Sequence, residues 1–586
     1  MKRLFLIFIF LLIACPCFAA KGPYTTYYIT QTASGDGTGV DQSNYMSVAT
    51  HNGKAADFFA GDDTIYLCGT ITTGLTPQSS GTFGHQIIYN GACPSSAGTI
   101  NVAGSVGITG STKSYITFQN LTVAADTTNR AIYFTSGTGV VINNCTASGF
   151  QGLYFAGHSS PVVTNSTFTG TSTTTVLSSL HIQAKTAATV TGNTIHATGS
   201  KAAGMTLQGT APSVTFTTSS NVSDGGSYAC RYLYTNNMSV VSTDDSCSNA
   251  TTVHGLVIEG TGITGASLKL YGFKATNNYM HGINNSGTNI IFNDFIITKS
   301  STRRWESSGN NNHGIALLAL PQNAIISYGN AFSNGGDGIY LLSSDRVYIH
   351  NLNVYNNQED GISFGGSTSN YAVTNSYIYN NIVYNNGEDS ATAGDAFTSH
   401  AGCAGNSYFN NIAYNNWASC HAHVLDATAT IYNDTCYHNG RSTRTVLDGN
   451  KACLYQSGTG GWTVRNTICI DNYPYEVSFT STAYAASSLD YNIYQHTIGQ
   501  NGIADGNGWN VDGEVTPHDW TWYHTTSGYE ANSSVADPLF IDSANNNFHL
   551  QSSSPARGAG VNVGLVHLDP PDIGAEPYLQ YVPWRH

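Results

Sequence analysis

The chain has 586 residues, of which 10% are charged and 40% hydrophobic, with 62 Gly, 36 Tyr and 23 Phe. So few charges exclude a coiled coil, and so many apolar and aromatic residues exclude a disordered polar tract. With 21 Lys plus Arg against 35 Asp plus Glu, a net charge of -14 and no basic run, nucleic acid is excluded as a partner.

Residues 1–20 begin with Lys2 and Arg3, continue with apolar residues 4–14 and end on Pro16, Ala19 and Ala20, the pattern of a secretory signal peptide. Secretion to the periplasm or the medium follows. A second reading stays open, because Leu12-Ile13-Ala14-Cys15 is similar to a bacterial lipobox, in which Cys15 carries lipid and anchors the protein at the cell surface. No later segment reaches the ~18 apolar residues of a membrane span. The ten cysteines that follow show no CxxC zinc spacing, and in an exported chain they are free to form disulfides.

Residues 21–70 precede the repeats, with an apparent strand at Tyr27-Tyr28-Ile29-Thr30 and a helix expected over 43–60. The repeat itself is clearest in 333–472. Its openings are Asp337-Gly338-Ile339, Asp360-Gly361-Ile362, Asp395-Ala396-Phe397 and Lys451-Ala452-Cys453; its endings are Tyr355-Asn356-Asn357, Tyr379-Asn380-Asn381, Tyr414-Asn415-Asn416 and Tyr437-His438-Asn439. Upstream the opening recurs as His254-Gly255-Leu256, His281-Gly282-Ile283 and His313-Gly314-Ile315, with weaker copies at Gly152 and Gly204. Units of about 23 residues with short strands and Asn/Gly turns cannot bury their own apolar face and must stack. The expected fold is therefore all-β, a solenoid over 71–495, with repeated Asn forming an internal amide ladder across coils about 4.8 Å apart.

A common 16-residue spacing (Ile362 to Ile378, Phe397 to Ala413, Cys420 to Cys436, Cys453 to Cys469) sets an expected register. It points Ile339, Ile362, Phe397, Cys420 and Cys453 inward, and His400, His421 and His423 outward, as metal ligands, proton shuttles or plain polar surface. Cysteines at matched positions form disulfides between coils or stacks of thiols. Asp337, Asp360 and Asp395 fall in one column, with Glu359 beside it. Carboxylates one coil apart repel by about 0.9 kcal/mol in water and about 3.5 kcal/mol at an effective dielectric of 20, so they need a cation, a proton or backbone donors. Calcium suits such oxygens, and Asp before Gly is also an ordinary turn pair. Arg303, Arg304 and Trp305 sit in an insertion over 299–312 that is placed to wall a groove. Residues 496–586 hold an aromatic insertion (Trp509, Trp520, Trp522, Tyr523), suited to stacking on sugars or to packing over a core.

These openings and turns resemble those of right-handed, single-stranded parallel β-helix proteins of the pectate-lyase-like type, and the two ends resemble the caps of that superfamily. The nearest resemblance is to family 9 polysaccharide lyases, which place calcium-binding Asp at such Asp-Gly openings and a catalytic Lys on a later outward position. Asp337, Glu359 and Asp360 fall on the calcium positions; a further ligand Asp falls at Ser363 and the Lys at Thr398. The resemblance implies a monomeric, calcium-dependent protein that binds an acidic polysaccharide and cleaves it by β-elimination. Asp337, Glu359, Asp360 and Asp395 then hold calcium. The base comes from Arg304, His400 or Lys451, while Arg303, Trp305, His421 and His423 contact substrate. Two alternatives remain: a glycoside hydrolase using paired Asp, and a non-catalytic adhesin-like solenoid, which Thr398 favours.

Overall fold

The computed structural model describes residues 24–173, 177–318, 322–366, 368–387, 394–440, 451–497, 508–511, 518–528, 530–565 and 571–575, so the signal segment and Cys15 lie outside the described residues. The chain coils as a parallel β-helix in which each full coil contributes three strands. In one such coil these are Ile339–Leu341 on face 1, Tyr348–His350 on face 2 and Asn353–Tyr355 on face 3. Each pairs in parallel with its counterpart one coil on: Ile362–Phe364, Tyr377–Tyr379 and Ile382–Tyr384. Alternation along each strand sends every second residue inward. The inward row Ile283, Ile315, Ile339, Ile362 and Phe397 is at most 1% exposed. Each such side chain contributes about 1.5–3 kcal/mol by leaving water.

The corners carry the sequence signature. Between faces 2 and 3 the chain turns through a left-handed residue, at Asn351, Asn380, Asn410, Asn433 and Asn466 (φ 57, 55, 58, 54 and 56°), a conformation Asn tolerates better than other non-Gly residues. After face 3 a buried amide ladder runs Asn278, Asn310, Asn334, Asn357, Asn386, Asn416, Asn439, Asn472. At Asn386, the backbone N–H and Nδ2 both donate to Oδ1 of Asn416 (3.1 and 2.9 Å), and Nδ2 also donates to the Val354 carbonyl at 3.2 Å. Shorter ladders, Asn193 to Asn221 and Asn381 to Asn411, line the face 2–face 3 corner.

Four expectations change. Phe397 pairs with His421, not Cys420. Cys420 instead stands where other coils place Gly361 or Ala396, its carbonyl accepting the Phe397 N–H as that of Ala396 accepts the Ile362 N–H. A one-residue slip exchanges the two sides of a strand, so His421 and His423 point inward and are fully buried. The 16-residue spacing also mixes faces, because Ile378 lies on face 2 while Ala413, Cys436 and Cys469 lie on face 3. The disulfides consequently close within coils, Cys420–Cys436 and Cys453–Cys469, together with Cys230–Cys247 and, near the start, Cys68–Cys93; Cys145 and Cys403 are buried free thiols. The early helix covers only Val48–Asn52, ending at Gly53.

Trp509 and Tyr523 are buried, and together with Trp520 they pack beside Tyr494 at the last coil, so this insertion is largely core. Downstream, Phe548 packs on Ile412 and Tyr414, and Ile573 on Ile468 and Ile470, along the outer side of face 3. No helix among the described residues is long and apolar enough to cross a membrane.

Replacing Asn386 with Ala strands donors on Asn357 and acceptors on Val354 and Asn416 in the dry interior. A loss of about 3 kcal/mol is expected, read as a clear fall of the thermal midpoint by circular dichroism.

Candidate functional site

The corner between face 3 and the next face 1 gathers the acidic residues. Here the N–H that opens each coil points along the axis and needs an acceptor from the coil before it. The side chain one coil back supplies it. The Asp337 N–H donates to Nδ1 of His313 (2.9 Å), the Asp360 N–H to Oδ1 of Asp337 (2.8 Å), the Asp395 N–H to Oδ1 of Asp360 (2.9 Å) and the Ser419 N–H to Oδ1 of Asp395 (2.6 Å). Ser419 Oγ then accepts from the Ala452 N–H at 3.2 Å, and upstream Nδ1 of His254 accepts from the His281 N–H at 3.3 Å. The Asp column thus continues an acceptor column whose upstream members are stacked imidazoles, interrupted at His281, whose Nδ1 accepts no hydrogen bond among the described residues. Ring centroids of His254, His281, His313 and Tyr340 are 4.8, 5.1 and 4.6 Å apart in turn.

Asp360 is the most heavily engaged of the three acids. Its Oδ1 also accepts the Gly394 N–H at 2.7 Å and its Oδ2 the Thr398 hydroxyl at 2.8 Å. Thr398, at the position where the resemblance expects a Lys, therefore steadies this carboxylate. Two acidic groups keep oxygen atoms in hand. Oδ2 of Asp337 lies 3.5 Å from His313 Nδ1, and the half-buried Glu359 carboxyl makes no hydrogen bond among the described residues. His313, Asp337 and Glu359 each offer a ligand atom, all within 4.8 Å of one another.

Burial, then repulsion from Asp360, holds the Asp337 carboxyl well above the usual range. Asp395 is raised in the same way, opposed by Ser419 and by the Lys451 charge, and Glu359 is raised by burial and Asp360. His313 is lowered to about 3 by burial and by His281, in keeping with an Nδ1 lone pair that accepts a backbone N–H. Such a corner favours an added positive charge. As a calcium donor set the fit is partial: Asp337 Oδ2 and Glu359 are suitable oxygens, Asp360 and Asp395 serve the backbone first, and an imidazole is a poor calcium ligand.

The other candidates disperse. Arg303 is fastened at the face 2–face 3 corner, its Nε 2.6 Å from the Gly272 carbonyl and 3.2 Å from Asp244. Arg304 reaches the Asn351 carbonyl at that same corner, one full face away from the acids. Trp305, expected on a groove wall, fills the core at 0% exposure with Nε1 on the Ser327 carbonyl at 2.8 Å. His421 and His423 cannot touch a substrate from the interior, where His421 Nε2 meets Asp434 at 2.9 Å. Lys451 is buried one residue before its expected place, which Ala452 fills. His400 lies just beyond Thr398 on face 1, half-buried, with burial lowering its pKa and the Asp360 charge opposing that shift. Glu388 and Asp389 lie outside the described residues. His313 was not grouped with the acids, although its His-Gly-Ile opening matches Asp337-Gly338-Ile339 and carried the signal.

A family model described as "Right handed beta helix region" matches residues 82–245, and the coil is that of a right-handed parallel β-helix. No curated protein matches in sequence. Among solved structures, the Dettilon tailspike protein is 14% identical with a TM-score of 0.29, over 47% of this chain and 62% of the tailspike. Pectate lyase Pel9A is 15% identical (TM-score 0.22, 95% of this chain and 97% of the lyase), and the mannuronan C-5 epimerase AlgE4 A-module of Azotobacter vinelandii is 12% identical (TM-score 0.22, 87% and 100%). Superposition at this level carries no information about the chemistry of the site.

Glu359→Gln removes a carboxylate that makes no hydrogen bond among the described residues and is expected to change stability by under about 0.5 kcal/mol, whereas Asp360→Ala strands three donors and costs about 3 kcal/mol. Thermal melts in chelator separate the two. Because the Asp337 and Asp395 carboxyls hold protons more tightly folded than unfolded, stability in chelator falls as pH rises from about 4 through their folded pKa values. Asp337→Asn keeps the Oδ1 acceptor and flattens that slope.

Proposed function

We propose that the chain is an exported carbohydrate-active β-helix protein that binds an acidic polysaccharide on face 1 beside the acidic corner, with calcium, and cleaves it by β-elimination. The observation that carries this reading is the pair of acidic groups left over from the turn, Asp337 Oδ2 and Glu359, beside the half-exposed Tyr340. Four disulfides support export to an oxidising compartment.

Asp337 and Glu359 are the residues to hold the ion, whose chemistry when bound is to neutralise the uronate carboxylate and so acidify the neighbouring C5–H. Of Arg304, His400 and Lys451, His400 alone is half-exposed on the outer side of face 1 near the acids. Its lowered pKa leaves an imidazole nitrogen unprotonated near neutral pH and able to accept the C5 proton. The C5–H electrons form the C4–C5 double bond, the C4–O bond breaks, and the departing oxygen takes a proton from water.

A second reading is favoured by one observation: Asp360 and Asp395 accept backbone N–H groups and Thr398 binds Asp360 where the family has Lys. The corner then binds polysaccharide without cleaving it, as in the adhesin-like alternative. Polygalacturonate, alginate and glycosaminoglycans, each with calcium or chelator, separate the two by the ultraviolet absorbance of unsaturated uronide. The first reading expects a calcium-dependent rise that Glu359→Gln abolishes and His400→Ala slows at least ~100-fold. A flat trace with calcium-dependent binding leaves the second, and neither turnover nor binding rejects both.

A further inference from the structure

The outer side of face 1 changes character along the axis. Downstream it borders the acids. In the coils from Arg130 to Arg231 the outward column is Tyr133, Tyr154, His181, Thr206 and Arg231 in continuous register. Over the same coils the other two faces present mainly hydroxyls, Thr189 and Thr217 on face 2 and Thr146, Thr167 and Thr194 on face 3. Aromatic, amide and guanidinium groups therefore concentrate on one face.

These groups hold one another in place. Tyr133 stacks on Tyr154 (5.5 Å) and Tyr154 on His181 (4.7 Å), with the Arg130 guanidinium 4.8 and 5.0 Å from the two tyrosine rings. The Tyr154 hydroxyl donates to Gln183 at 2.9 Å, and Gln183 donates to Gln208 at 2.8 Å. Arg130 uses Nε on Gln151 (2.7 Å), and Arg231 pairs with Glu259 (2.6 Å). A guanidinium has five N–H donors, so each keeps others for a ligand. The ring faces are closed by stacking, which leaves ring edges, amides and cations to meet solvent.

Charge identifies the occupant. On the face 1 strands and the residues directly adjoining them, Arg130, Lys185, Lys201 and Arg231 stand against Glu259, while Asp126 at the preceding corner is engaged by Gly104, Thr128 and Asn129 and Asp224 on face 3 pairs with His196, in a chain of net charge -14. Four coils separate the arginines, roughly 19 Å at the usual strand spacing, a span for an oligosaccharide and not for a small anion. Between this strip and the acidic corner the outward positions Val257, Asn284 and Ala316 are buried, so the two are separate places on the surface.

We propose that this strip is a second, cation-independent binding site for an acidic polysaccharide, with its carboxylates on Arg130 and Arg231 and its hydroxyls on Gln208 and Tyr133. The substrate class rests on the function proposed above, whereas the site needs neither calcium nor cleavage. The test is the mobility of the full chain in native gels cast with polygalacturonate and chelator. Wild type and Glu359→Gln are expected to be retarded equally, with retardation lost on raising salt. Arg130→Gln/Arg231→Gln is expected to weaken binding at least tenfold. Lys185→Gln, at an exposed residue whose ammonium makes no hydrogen bond or ion pair among the described residues, is expected to weaken it two- to threefold. Neutral glucan and single-stranded DNA are expected to leave wild type unretarded. Absence of retardation in chelator, equal retardation of a double variant with an unchanged thermal midpoint, or equal retardation by DNA overturns the site. If the double variant does not fold, the Lys185→Gln result decides. Loss of binding in Glu359→Gln as well would place binding at the acidic corner and also overturn the strip.

Discussion

A coil that stacks on itself leaves backbone N–H groups at its corners with no strand partner, and burying them unpaired costs several kcal/mol each in a dry setting. The answer throughout this protein is a side chain one coil away that accepts the bond. Asn does this best inside, since it can accept from the preceding coil with Oδ1 while donating onward with Nδ2 and so hand the problem to the next coil. At the corner that opens face 1 the same task falls to His, Asp and Ser in succession. The acidic column therefore follows from the architecture before it has any chemistry.

That order of causes decides which acids are free to act. Asp360, with three donors on its two oxygens, is the most conspicuous acid in the repeat and the least available. Glu359, outside the column and with a carboxyl that makes no hydrogen bond among the described residues, is the group that the fold does not require. The same logic separates His400 on the outer side from His421 inside, where Phe397 stacks on its ring at 5.0 Å and Asp434 takes its Nε2.

What was legible in the sequence is what a stacking repeat must repeat. The Gly-Ile openings and the Asn pairs fall at coil corners as expected, because each is fixed by a backbone requirement that recurs in every coil, except that Tyr379-Asn380-Asn381 closes face 2 while the face 3 ending of that coil is Tyr384-Asn385-Asn386. The register at Cys420 was not legible. Cysteine periodicity reports where two sulfurs meet, and a Cys at a Gly position meets its partner as well as one on a strand does, so the spacing survives a slip that reverses the strand. Trp305 misled for a related reason: a neighbouring basic pair reads as a loop, while the indole fills space that Gly329 leaves open in the adjoining coil, where an added Cβ would stand 1.9 Å from the ring.

The direction of the ladders explains a further set of buried charges. Each Asn donates toward the C-terminal end, so the last one needs a partner that accepts two bonds and passes none on. A carboxyl meets that demand, and each of the three ladders ends on one: Asn221 on Asp245, Asn411 on Asp434 and Asn472 on Glu476; at the last coil Asn492 donates Nδ2 to Glu530 while its N–H goes to the Ser533 hydroxyl. Burial raises the pKa of all four, Glu530 to about 7. The environments divide the cost differently. Thr218 and Ser242 hydroxyls donate to Asp245, whereas His421 and His496 stand beside Asp434 and Glu476. A buried His–carboxyl pair in this protein is thus the terminus of a hydrogen-bond ladder, and resemblance to a catalytic dyad is by itself no sign of chemistry here.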